Sequence, residues 1–153
     1  MDIEIVQISY GSAEWKALID FSRVCSWKGT GQYFAELLED NEFDDSEKVF
    51  VALHNEDIVG FVALVNESCV EDTEFSPWLD FLFVDETYRG KGIARKLVEY
   101  VLQTATNENL DSVYLCTVSH EAMYAYFGFE TLYKTKVNGG NECNVMKRLL
   151  RKF

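Results

Sequence analysis

In "VDETYRGKGIARKL" (84–97), Arg89, Lys91, Arg95 and Lys96 are gathered with Gly90 and Gly92 at the start of an apolar helical pattern. The whole chain carries a formal net charge of −12, so this local concentration of positive charge needs a reason. A helix start leaves unpaired amides and a partial positive charge, and phosphate binds there readily. Gly90 and Gly92 add backbone that a ligand can approach without a Cβ in the way. The stretch therefore reads as a pyrophosphate cradle. It is neither of two familiar phosphate loops: the dinucleotide fingerprint needs a third glycine where Arg95 stands, and the P-loop needs Ser or Thr where Gly92 follows Lys91.

One other side chain could do proton chemistry. Period two along "WLDFLFV" (78–84) puts Trp78, Asp80, Leu82 and Val84 on one face, so Asp80 is a carboxylate among apolar side chains. Partial burial would raise its pKa and improve it as a base, directly or through water; Glu71, Glu74 or a water chain could serve instead. His120 has no Gly-x-Ser-x-Gly partner and is read as a helix-start or surface residue.

The elements that must hold these residues follow from periodicity. Strand 3–9 leads to a helix from Ser12, its N-cap, to about Cys25. "SWKGTG" (26–31) breaks that helix, and residues 32–43 form a second. Strands 48–54 and 58–65 flank "NED" as a hairpin. After the loop 66–77, strand 78–84 is apolar on both faces and belongs in the centre of a sheet. Helix 91–106 packs on that sheet, with Ile93, Leu97, Val101 and Ala105 at steps of four. Strand 112–118 follows this crossover helix and is expected to be parallel to strand 78–84. A short helix, 120–127, precedes a hairpin around "NGGN" (138–141). The expectation is a mixed α/β fold, formed by one domain over 1–153 that buries roughly two-thirds of its unfolded surface.

Composition excludes several classes. Apolar residues make up 48% and charged residues 26%, as in an ordinary globular chain. No apolar stretch approaches the roughly 20 residues of a membrane span, and the N-terminus lacks a secretory pattern. Acidity argues against nucleic acid and would steer a cationic substrate inward, although a solubilising surface explains it too. Cys25, Cys69, Cys116 and Cys143 are widely spaced, which fits reduced cytoplasmic thiols better than zinc or disulfides. No metal site is expected.

Arg89-x-x-Gly92-x-Ala94, set between a central strand and an amphipathic helix, resembles motif A of the GNAT superfamily of N-acetyltransferases. "YAYFGFE" resembles that family's Tyr-x-x-x-Gly-Phe signature, and the element order follows the family over nearly the whole chain. The resemblance implies a central, mostly antiparallel mixed sheet whose parallel pair, 78–84 and 112–118, splays to admit the pantetheine arm of acetyl-CoA. It assigns the pyrophosphate to Arg89, Gly90, Lys91, Gly92, Ile93 and Ala94. The backbone of Leu82, Phe83 and Val84 would bond the pantetheine, and Ser119 would stand where many members carry an Asn.

It further implies direct acetyl transfer to a primary amine, with the signature tyrosine Tyr124, a phenol protonated at neutral pH, as proton donor; packed in the core Tyr124 would be structural only, and Tyr126 is the better occupant for such a place. Asp80 is the candidate base, and a backbone amide of strand 78–84, Val84, would meet the oxyanion. Trp27 and Tyr33 fall where the family shapes its acceptor pocket, with Gly29 and Gly31 allowing movement; a plain hydrophobic lid is an equal reading. A homodimer is common in the family. Two alternatives stay open: a noncatalytic acyl-CoA sensor, which the presence of Tyr124 disfavours, and transfer of a longer acyl group, which bulky Trp78 and Phe81 disfavour. The amine acceptor itself is not legible.

Overall fold

Ser12 does cap the first helix: its Oγ accepts from the Trp15 amide at 3.2 Å. In the computed structural model, which describes residues 1–71, 73–137 and 140–150, β1 (Glu4–Ile8) leads into α1 (Ala13–Val24) and α2 (Lys28–Glu39). The hairpin strands β2 (Lys48–His54) and β3 (Asp57–Val65) come next, then β4 (Trp78–Val84), a 3-10 turn at Glu86–Tyr88 and α3 (Ile93–Asn107). The chain ends with β5 (Ser112–Thr117), α4 (Glu121–Tyr126), β6 (Glu130–Val137) and β7 (Asn141–Leu149).

The strands form one sheet in the order β1-β2-β3-β4-β5-β7-β6. β1 with β2, β5 with β7 and β6 with β7 are antiparallel, whereas β4 and β5 are parallel. The fold is thus the expected mixed α/β arrangement with a parallel central pair. The "NG" of the last hairpin lies outside the described residues, but Val137 pairs with Asn141 on either side of it.

By contacts the chain divides into two units, Met1–Ala63 with Phe81–Tyr100, and Leu64–Asp80 with the chain from Val101 onward. In the first, aromatic side chains make the core: Phe34 stacks on Phe61 and on Phe81 at 4.9 and 4.5 Å between ring centroids, and Phe61 stacks on Phe83 at 5.4 Å. Such rings, buried as Phe34 and Phe61 are, each contribute roughly 1.5–3 kcal/mol through area alone. In the second unit, Val113 and Leu115 of β5 and Val145 and Met146 of β7 are buried, and the ladder pairs Leu115 with Met146 and Cys116 with Val145.

Three expectations about the elements are corrected. Residues 26–31 do not separate two helices by a glycine loop: α2 begins at Lys28 and contains Gly29 and Gly31, ending at Glu39 instead of 43. Gly31 is there for close packing. A Cβ on it would lie 2.5 Å from the Ser22 carbonyl oxygen and 2.7 Å from Cys25 Sγ, and Ser22 Oγ donates to the Gly31 carbonyl at 2.6 Å. These two glycines are therefore helical backbone, not a hinge.

Helix α3 begins at Ile93, not at 91, because Gly92 has φ +82°, outside the right-handed helical region. The even alternation along β4 is also interrupted. Phe81 takes φ +57° in mid-strand, a conformation that costs a bulky residue of order 1–3 kcal/mol and persists only where the surroundings hold it. Here stacking on Phe34, with the tilted ring of Tyr33 beside it, holds it. Trp78, Asp80, Leu82 and Val84 consequently do not form one uninterrupted row.

Candidate active site

In the first unit, the end of β4 from Phe81 to Val84 leads into the basic turn. The Asp85 amide donates to the Val59 carbonyl of β3 at 2.8 Å. Successive strand residues point their amides to opposite edges, so Val84 and Leu82 present theirs to the edge away from β3. Phe83 turns its backbone toward β3 and its ring into the core, between Trp27, Phe21 and Phe61. The Val84 carbonyl already accepts a hydrogen bond from Arg89 Nε at 2.9 Å.

That Arg89 contact was not foreseen. Its guanidinium also lies 5.4 Å from the centre of the Phe83 ring, a cation–π geometry. The side chain thus ties the turn back onto the end of β4. Gly90 and Gly92 both take positive φ, +77° and +82°, and a Cβ built on either meets nothing within 4 Å. Arg89, Gly90, Lys91 and Gly92 are exposed, Ala94 is half-buried, and Ile93 is buried as the helix's first anchor in the core. The first α3 bond runs from the Lys96 amide to the Gly92 carbonyl. The amides of Ile93 and Ala94 come before it, where a helix leaves its donors for a ligand. The cradle is open and basic, and it fits an anion of the coenzyme pyrophosphate kind.

Trp27 and Tyr33 come together with the aromatic residues of β4. Trp27 stacks on Phe83 at 6.1 Å and 13°, and Tyr33 lies tilted over Phe81 at 6.2 Å. Both remain partly open to solvent, at 37% and 54%. A flat or apolar part of a substrate could lie against them.

Asp80 and Tyr124 both lie in the second unit. The described register of β4 against β5 is Trp78 opposite Tyr114, with the Tyr114 amide donating to the Pro77 carbonyl at 3.0 Å. Asp80, half-buried, lies two residues beyond that pair. Tyr124 is buried on α4, its ring edge-on to Phe127 and Phe129. Burial, the Asp80 carboxylate and the Cys116 thiol push its phenol well above the ordinary tyrosine value. Asp80 and Tyr124 are therefore within electrical reach of each other. Tyr126, expected to be the better core residue, is 72% exposed.

Ser119 is exposed, and its Oγ sits 3.2 Å from His120 Nδ1. His120 precedes α4, its amide donating to Thr117 Oγ1 at 3.0 Å. Cys69, in the loop before β4, has its Sγ 3.3 Å from that of Cys116 on β5. Forty-seven residues separate them, so no spacing in the chain signalled the pair. Among the described residues, no group of three or more His, Cys, Asp or Glu side chains could hold a metal ion. No helix among them is long and apolar enough to cross a membrane.

The sequence profile of the Acetyltransferase (GNAT) family matches residues 14–129, most of the chain and all of β4, the glycine turn and Tyr124. The chain belongs to the GNAT family of acetyltransferases, and so to the acyltransferases. Solved structures agree on the fold. A GNAT acetyltransferase from Staphylococcus aureus Mu50 is 22% identical with TM-score 0.73, covering 98% of this chain and all of that one. The aminoglycoside 6'-N-acetyltransferase from Enterococcus faecium is 16% identical with TM-score 0.78, over 98% of both chains. An aminoglycoside 6'-N-acetyltransferase complexed with coenzyme A is 16% identical with TM-score 0.76, again over 98% of both.

Proposed function

We propose that this chain transfers the acetyl group of acetyl-CoA directly to a primary amine of a small cationic acceptor, with polyamines and aminoglycosides as the leading classes. The observation that carries the reading is the open turn Arg89–Ala94. It combines two positive-φ glycines with free space where a Cβ would be, exposed Arg89 and Lys91, and the helix amides of Ile93 and Ala94. The acceptor class draws support from the net charge of −12 and from the aminoglycoside acetyltransferases among the structural neighbours. A cytoplasmic location belongs to the same reading, since all four cysteines are free thiols.

In this reading the turn and the start of α3 hold the pyrophosphate. The outward edge of β4 at Leu82 and Val84 offers backbone groups to the pantetheine amides, as an added strand would find them, with Ser119 as a side-chain contact. Asp80 takes the proton of the attacking ammonium, directly or through water. The Val84 amide meets the oxyanion, a contact worth about 3 kcal/mol in the transition state. Tyr124 has the role of partner to the departing sulfur. Its raised pKa lies far above that of a free thiol, about 8.5. It therefore acts as a hydrogen-bond donor that steadies the thiolate, and solvent completes the protonation.

The test is coenzyme A thiol release from acetyl-CoA across polyamines, aminoglycosides, amino acids and lysine or N-terminal peptides, with acetyl-CoA binding followed by calorimetry. Release with a cationic small amine establishes the reading. Release only with peptides corrects the acceptor. Binding without release supports the noncatalytic sensor, and absence of binding removes the cradle.

A further inference from the structure

Outside this chemistry the second unit contains a thiol pair that the transfer reaction does not use. Cys69 and Cys116 place their sulfurs 3.3 Å apart, and Ser68 Oγ lies 3.9 and 3.6 Å from them. Cys69 is exposed, on the irregular loop between β3 and β4, while Cys116 is partly buried and fixed in β5 opposite Val145. A disulfide needs sulfurs about 2.05 Å apart, so a small movement of one loop residue completes the distance.

We propose that Cys69 and Cys116 form an oxidisable dithiol, a modification site at which a hydroperoxide converts the two thiols into a reversible disulfide. Cys69 is the attacking partner. Hydrogen bonds from Cys116 and then Ser68 lower its thiol to about 6 against the opposing effects of burial and Asp80, whereas Cys116 is pushed up by its bond to Cys69 and by burial. Cys69 therefore holds the thiolate, the form that attacks.

The Cys69 sulfur attacks one peroxide oxygen and the O–O bond breaks. The released hydroxide takes a proton to become water, leaving Cys69 as a sulfenic acid. Cys116 sulfur then attacks the Cys69 sulfur, the S–O bond breaks, and the hydroxide leaves with the Cys116 proton as a second water. Two thiols lose two electrons, and one peroxide gains them. Cys143, on the same face of β7 as Val145, is buried with a raised thiol pKa, so it is not the attacking group. Cys25 is buried in the other unit, its Sγ 3.2 Å from the Ser22 carbonyl.

The experiment treats the full chain with one equivalent of hydrogen peroxide, alkylates remaining thiols under denaturing conditions, and maps peptides by mass spectrometry. The expected product has Cys69 joined to Cys116, with Cys25 and Cys143 alkylated and all four thiols recovered after dithiothreitol. Cys116→Ser should stop at a sulfenic acid on Cys69, trapped by dimedone. Cys69→Ser, a change at an exposed loop position, should fold and resist peroxide at Cys116. Four alkylated thiols after treatment, or a bond joining Cys116 to Cys143 instead, would overturn the assignment. None of these readouts depends on acetyl transfer.

Discussion

Tyr124 and Gly92 make separable demands on the protein. Tyr124→Phe removes one hydroxyl from a buried ring and should lower kcat by about 100-fold while leaving acetyl-CoA affinity within error, as calorimetry and steady-state rates would show. Gly92→Trp keeps the buried core but forces a side chain onto φ +82° at the cradle. The strain is about 1–2 kcal/mol, so the variant should remain folded while losing acetyl-CoA binding. Unchanged affinity would remove Gly92 from the site. Tyr124 also has a signature in stability. The unfolded phenol titrates at about 10 and the folded one higher. The contribution of its neutral form is fully present below pH 10 and is lost as pH rises through the folded value, because the unfolded chain gives up its proton first. Urea denaturation of the native protein should therefore show stability falling above pH 10 more steeply than in Tyr124→Phe.

For the elements, the critical features are the contact of α1 with α2 and the break in β4. Gly31→Ala puts a methyl group against the Ser22 carbonyl, which is backbone and has little freedom to withdraw. The change should destabilise the fold by about 1–3 kcal/mol, read as a lower urea midpoint, with acetyl-CoA affinity of the folded fraction unaltered. In β4, the left-handed Phe81 sets aside the strict period two used to read the strand. That pattern assumes an extended backbone throughout, and a single αL residue rotates everything after it. The aromatic stack that holds Phe81 comes from α2, far away in the chain. The same holds for Gly128, part of the signature that led to Tyr124. A Cβ there would meet Arg148 Nε at 2.7 Å, and its φ is +93°, so this glycine makes room for a β7 arginine.

Over the whole molecule, the formal net charge is −12. If that charge steers a cationic acceptor, kcat/KM for a polyamine or aminoglycoside should fall as salt shortens the Debye length from about 10 Å at 0.1 M to about 3 Å at 1 M. A monocationic amine of equal reactivity should fall less. Equal slopes for the two acceptors would reduce the acidic surface to a solubility device.

Much of this was legible from local pattern. Strand and helix order, the cap at Ser12, the parallel crossover and the Arg89–Ala94 turn all depend on neighbouring residues, and neighbours set backbone φ, amide exposure and apolar periodicity. The family likewise follows from short contiguous motifs. Tertiary structure alone decided the rest. Gly31 looks like part of a loop until the Ser22 carbonyl shows why a helix needs no side chain there. Phe81 reads as ordinary strand until Phe34 holds it left-handed. Tyr124 and Tyr126 are indistinguishable until one is buried and the other exposed. Cys69 and Cys116 are unrelated until the loop before β4 meets β5. Each outcome turns on contacts between residues far apart in the chain, whose energies depend on distance and burial and leave no spacing to read.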